Sequence, residues 1–199
     1  MRSHHRLRRL PLLRVLLICV GLNFASLHAS DAPRERLKSG LEAGAAVQAF
    51  FVRAVTGPLK NRSVCYVCRN GDRPVVMVFF QGIDPNAVKF MKMIDHITDA
   101  GRVNGARCFG VLVTDDSGMV VPTLQTLAFD GQIEMPLTAA TTAISGPSAH
   151  RLHPDAATTI VLYRQQKVVA SFGYRRGDLL DAEIDRMQRE LEAFLEIAK

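Results

Sequence analysis

The run Val75 to Phe80, V-V-M-V-F-F, constrains this chain more than any other stretch. Every residue in it is apolar and most are β-branched or aromatic, with Gly71 and Pro74 before it and Gly82 and Pro85 after it. A short unbroken apolar run with such flanks fits a strand buried on both faces better than a helix segment. Directly ahead of it, Cys65 and Cys68 stand two residues apart. That spacing serves a redox dithiol, half of a zinc site or a short structural disulfide, and the three remain open at this point.

The beginning of the chain has a different character. Arg2, Arg6, Arg8, Arg9 and Arg14 precede an apolar run from Val15 to Leu27, and the small residues Ala29 and Ser30 follow. This is a secretory signal pattern, with an apolar part too short for a good membrane span. Residues 1–29 are therefore expected to be a signal peptide. The mature chain is expected to be exported, periplasmic or extracellular, without stable membrane insertion.

The chain carries 25 Lys and Arg against 19 Asp and Glu, and five of the arginines lie in that leader with no acid beside them. The remainder is close to neutral, which gives no electrostatic case for nucleic acid or an anionic membrane as partner. Cys19 leaves with the leader, so the mature cysteines are Cys65, Cys68 and Cys108. In an oxidising compartment the neighbours Cys65 and Cys68 are the natural pair, with Cys108 left free.

Residues 30–44 read as a linker or a short leading helix, and residues 45–199 as one domain. Val47 to Val55 is expected as an opening strand, and Thr56, Gly57 and Pro58 then turn the chain. After the Val75 to Phe80 strand comes a well-signalled helix, with Asp84 as N-cap, Pro85 at its first position and Gly101 at its end. Ala87, Phe90, Met91, Ile94 and Ile97 share one of its faces. A strand is expected over Arg107 to Thr114, a helix over Val121 to Phe129 and a short strand over Met135 to Ala139. A hairpin follows over Thr158 to Tyr163 and Val168 to Phe172, with its turn at Arg164 to Lys167. The last helix is expected over Leu179 to Ile197, capped by Asp178.

Strand, helix, strand, helix, hairpin, helix is the element order of the thioredoxin fold. Ala46-Val47-Gln48-Ala49-Phe50, Val55-Thr56-Gly57 and Arg73-Pro74-Val75-Val76-Met77-Val78-Phe79 resemble the start of the peroxiredoxin and redoxin branch of that superfamily. The resemblance covers residues 45 to 198. It implies a single thioredoxin-like α/β domain with a central mixed β-sheet flanked by helices. In that superfamily the attacking cysteine follows the first core strand and sits at the start of the next helix, where helix dipole and free amides stabilise a thiolate. Here the junction reads Gln81-Gly82-Ile83-Asp84-Pro85 and holds no cysteine. The cis-proline that the family commonly places before the hairpin is missing as well, because the matching stretch is Asp155-Ala156-Ala157-Thr158.

What remains is a CxxC placed before the strand instead of after it. The leading expectation is thiol–disulfide redox activity through Cys65 and Cys68, without a cofactor and with a protein thiol or disulfide as partner. Arg62, Arg69 and Arg73 would lower a thiol pKa there. A non-catalytic binding or structural module, stiffened by a Cys65–Cys68 disulfide, is the alternative. A metal carrier using Cys65, Cys68, His150 and His153 is a lesser one, opposed by topology, since the two pairs are expected toward opposite ends of the sheet. His150 and His153 are expected on a solvated loop, His96 on a surface, Cys108 as a small buried hydrophobe, and Asp115 and Asp116 in a turn.

Overall fold

The computed structural model describes residues 36–196, with 117, 147 and 148 excepted; the expected signal peptide, residues 1–29, lies outside them. In chain order the strands and α-helices are β1 (Val52–Ala54), β2 (Ser63–Val64), α1 (Tyr66–Asn70), β3 (Val75–Phe80), α2 (Pro85–Ala100), β4 (Arg107–Val113), α3 (Val120–Gly131), β5 (Leu137–Ala140), β6 (Thr158–Arg164), β7 (Lys167–Tyr174) and α4 (Asp181–Phe194). The strands form one sheet in the order β2-β1-β5-β4-β3-β6-β7. β3, β4 and β5 run parallel, while β6, β7, β1 and β2 join antiparallel. This is a mixed sheet in a single thioredoxin-like α/β domain.

β3 holds the centre because nothing in it needs water. All six of its side chains are buried, and its backbone pairs with β4 on one side and β6 on the other along its whole length. Alternation then divides the core in two. Val76, Val78 and Phe80 point to the face covered by α2, α3 and α4, where Phe90, Ile94, Leu124, Met187 and Leu191 are buried. Val75, Met77 and Phe79 point to the other face, covered by α1, by Leu41 and Val47 of the leading segment, and by Leu152.

α2 obeys its local signals. The Asp84 carboxylate accepts the Ala87 N–H at 2.9 Å, Pro85 occupies the first turn, and the Gly101 N–H closes the helix on the Ile97 carbonyl at 3.1 Å. The expected apolar face is buried in full. The β6–β7 hairpin turns on Gln165 and Gln166, both left-handed at φ 53° and 57°, the geometry that matches the twist of a two-residue hairpin.

Three expectations are corrected. The opening strand is confined to Val52–Ala54, because Val47 instead donates its N–H to the Gln166 carbonyl and Ala46 bridges to Lys167. The linker or leading helix expected over residues 30–44 is, from Arg36 on, an irregular non-helical segment docked on the hairpin. Leu37 bridges to Gly173, Ser39 Oγ lies 2.5 Å from Thr159 Oγ1, and Ser171 Oγ donates to the Leu41 carbonyl at 2.7 Å. Gly173 permits that docking, since a Cβ there would sit 2.6 Å from the Leu37 carbonyl oxygen. Finally, Asp178 does not cap α4; its carboxylate accepts the Arg175 N–H at 3.0 Å and closes the preceding turn.

Gly173→Ala is expected to displace residues 37–39 and to lower stability by roughly 1–3 kcal/mol, the usual range for overpacking. The urea midpoint measures the loss. Faster proteolysis between Arg36 and Val47 in the same variant would locate it.

Candidate functional site

The two cysteines enclose the first turn of α1. Val64 ends an edge strand, Cys65 is extended at φ −95° and ψ 98°, and the chain turns into helix at Tyr66. Tyr66 stacks on Phe109 of β4 with ring centroids 4.9 Å apart and planes at 19°, and Val67 is buried in the same core. These two anchors hold the turn against the sheet. Gly71 then reverses the chain at φ 56° and ψ −125°, a conformation open to glycine and strained for other residues, and its N–H closes on the Val67 carbonyl.

Cys65 and Cys68 form a disulfide with their Cα atoms 5.3 Å apart. The pair is asymmetric. Cys65 is buried with 6% of its surface accessible, whereas Cys68 is exposed. Cys65 Sγ also accepts the backbone N–H of Cys68 at 3.1 Å. A sulfur that carries negative charge after reduction would be stabilised by that donor.

Arg69, Arg73, Arg102 and Arg107 surround a cavity of about 330 Å³ at the entry ends of β3 and β4, which Tyr66 and Cys108 also line. Arg102 pairs with Asp99 at 2.5 Å. Burial raises the Tyr66 hydroxyl above its ordinary pKa, and Arg69 offsets part of the rise. Burial also pushes the Cys108 thiol up to about 12, with the neighbouring Thr98 hydroxyl acting in the opposite sense. A thiol so shifted is protonated at neutral pH, and Cys108, expected as a buried hydrophobe, is half-buried on the cavity lining. Of the cavity's residues, the sequence singles out Arg69, Arg73 and Cys108, while Arg102, Arg107 and Tyr66 go unmarked because only folding brings residues 58–73, 98–108 and 134–136 together.

The other end of β3 carries no thiol. Gln81 donates its N–H to the Ala157 carbonyl at 3.0 Å, Asp84 and Pro85 start α2, and Arg176 Nη2 occupies the space that a side chain at Gly82 would need. Six strand residues span about 20 Å, so this junction and the disulfide lie toward opposite ends of the domain. No peptide bond among the described residues is cis.

His150 is a correction. Instead of lying on a solvated loop it is 99% buried, its ring 4.5 Å from that of Phe50 and 4.8 Å from that of Phe79. Neither ring nitrogen has a hydrogen-bond partner among the described residues, and burial lowers the pKa to about 4. His153 is a turn residue, with Nδ1 accepting the Asp155 N–H at 3.1 Å. Among the described residues no three His, Cys, Asp or Glu side chains come together as a metal-binding group, and Cys65 and Cys68 are bonded to each other. The four-ligand set Cys65, Cys68, His150 and His153 is therefore not assembled. His96 is exposed, and the Asp115 carboxylate accepts hydrogen bonds from the N–H and hydroxyl of Thr142.

A thiol:disulfide interchange protein from Bacteroides sp. is 16% identical, with 80% of this chain and 93% of that one covered at a TM-score of 0.57. Peroxidoxin BcpB from Mycobacterium tuberculosis is 17% identical, with coverage of 80% and 99% and a TM-score of 0.55. A secreted Mycobacterium tuberculosis disulfide oxidoreductase homologous to Escherichia coli DsbE is 12% identical, with coverage of 73% and 96% and a TM-score of 0.54. The chain thus has the thioredoxin-like fold. No family model matches the sequence, and no curated protein matches it.

The buried imidazole makes a signed prediction. His150 stays neutral in the fold down to about pH 4 but takes up a proton near pH 6.5 once unfolded. The unfolded chain therefore binds more protons between these values, and stability falls as pH drops from 6.5 to 4. Denaturant titrations are expected to show the native protein losing about 3 kcal/mol more than His150→Phe across that window. Equal losses would show that His150 does not titrate on unfolding.

Proposed function

We propose that the protein is an exported thiol–disulfide exchange protein that works through Cys65 and Cys68. The asymmetry of the pair carries this reading, because one sulfur can be reached and the other can hold charge. A partner thiolate attacks Cys68 Sγ, the Cys65–Cys68 bond breaks, and its electron pair stays on Cys65 Sγ beside the Cys68 N–H. The partner's second thiolate then attacks its own sulfur in the mixed disulfide and releases Cys68 as a thiolate. The partner dithiol is oxidised by two electrons, and the Cys65–Cys68 disulfide is reduced by two. In reverse, Cys68 attacks a partner disulfide and Cys65 resolves the adduct.

The fold supports the reading by analogy, since two of the similar structures are a thiol:disulfide interchange protein and a disulfide oxidoreductase. Export is supported by the leader-like residues 1–29 and by the secreted member of that pair. No described helix is long and apolar enough to cross a membrane. A structural disulfide is the second reading, favoured by the depth at which Cys65 lies beside Val64, Tyr66 and Val67.

Thiol trapping in glutathione buffers, with Cys108→Ser to simplify the readout, separates the two. Exchange is expected to give a reduction potential of about −120 to −270 mV, and a value below roughly −300 mV would assign the disulfide to structure. Variants supply an independent check. Cys65→Ser is expected to accumulate a mixed disulfide with an oxidised dithiol peptide through Cys68, while Cys68→Ser, whose remaining thiol is buried, forms none. Adducts of equal yield in both variants would remove the division of roles.

A further inference from the structure

The cavity beside α1 has features beyond those that thiol exchange needs. Arg69, Arg73, Arg102 and Arg107 line one space of about 330 Å³, and Glu134 is the single acidic residue of that lining. Among the described residues only Arg102 of the four has an ionic partner. Arg73 and Arg107 each give one N–H to a backbone carbonyl, of Arg69 and Ala106 respectively, and keep their other donors. Converging positive charges without counter-charges repel one another, and an anion between them relieves that repulsion.

A second observation concerns the same lining. Tyr66 is 93% buried on the cavity lining, its ring held by Phe109, and its hydroxyl has no hydrogen-bond partner among the described residues. A buried polar group is ordinarily satisfied by protein, water or ligand. A phenol is protonated at neutral pH, and burial moves its pKa further up, so the hydroxyl is available as a donor. Leu59, Met135 and Pro136 are apolar residues of the same lining.

We propose that this cavity binds a small organic anion, its carboxylate or phosphate head held by Arg69, Arg73, Arg107 and the Tyr66 hydroxyl and its apolar body resting on Leu59, Met135 and Pro136. The volume falls in the range of small-molecule sites, and few polar groups set against an apolar wall is their usual composition. Guanidinium pairs suit both carboxylate and phosphate, because each offers two oxygens to a planar fork.

Titration of the 15N-labelled protein with phenyl phosphate, benzoate, inorganic phosphate and benzyl alcohol tests this. Saturable amide shifts at Tyr66, Arg69, Arg73 and Arg107 are expected with one or both aromatic anions, weakening as salt is raised. The anion that saturates at the lower concentration identifies the head group, and inorganic phosphate is expected to bind more weakly for want of an apolar body. Arg73→Ala and Arg107→Ala should each weaken binding about tenfold, the loss of a charge-assisted contact, and Tyr66→Phe by less. Arg189→Ala, on α4, leaves binding unchanged. Three results would each overturn the proposal: no saturable shift with either aromatic anion up to about 10 mM, equal shifts with benzyl alcohol, or full binding by the Arg73→Ala, Arg107→Ala double variant.

Discussion

Burial of β3 on both faces is the constraint from which the remaining architecture follows. A strand with six apolar side chains and no polar alternation can rest only inside a sheet that is covered on its two sides. Its backbone groups are satisfied by β4 and β6, and its side chains need two separate cores. One core is roofed by the long helices α2, α3 and α4. The other is roofed by smaller pieces, namely the leading segment, the single turn of α1 and the loop before β6. The cysteine pair lies in that second roof, which is why Cys65 is a core residue while Cys68, three positions on, meets solvent.

The two ends of β3 divide the chemistry. At its exit the chain builds a well-capped helix start whose surroundings, Asp84, Pro85 and Arg176, hold no thiol. At its entry the loops that feed β3, β4 and β5 crowd together and bring the disulfide turn, the tyrosine and the arginines into one neighbourhood. The fold is shared with the similar solved structures, but the cysteine pair and the arginines of this chain lie at the entry end, and a fold alone assigns them no reaction.

Elements governed by neighbours in sequence were legible before folding. α2 is bounded by a cap, a proline and a glycine that act within a few residues, and its apolar stripe is a matter of helical period. The hairpin and β4 were equally plain, because β-branched and aromatic runs between polar turns carry the signal in themselves. The leading segment was not legible, since its polar and small residues are held by Thr159, Gly173 and Ser171, more than a hundred positions away. His150 misled for the same reason, because a histidine in a Gly, Pro and Ser-rich loop looks solvated until Phe50 and Phe79 close over it. Asp178 misled at short range, where a turn at Arg175 competed with the helix for its carboxylate and won.

The sequence by itself determined the central strand, the run of helices and strands around it, and the pairing of Cys65 with Cys68, because each depends on residue type and spacing over a few positions. Only the tertiary structure decided which sulfur is reachable, which histidine is buried, and that Arg69, Arg73, Arg102 and Arg107 line one cavity with Tyr66. Exposure, desolvation and convergence of charge are properties of groups far apart in the chain, and they come into being when the faces of the sheet are covered.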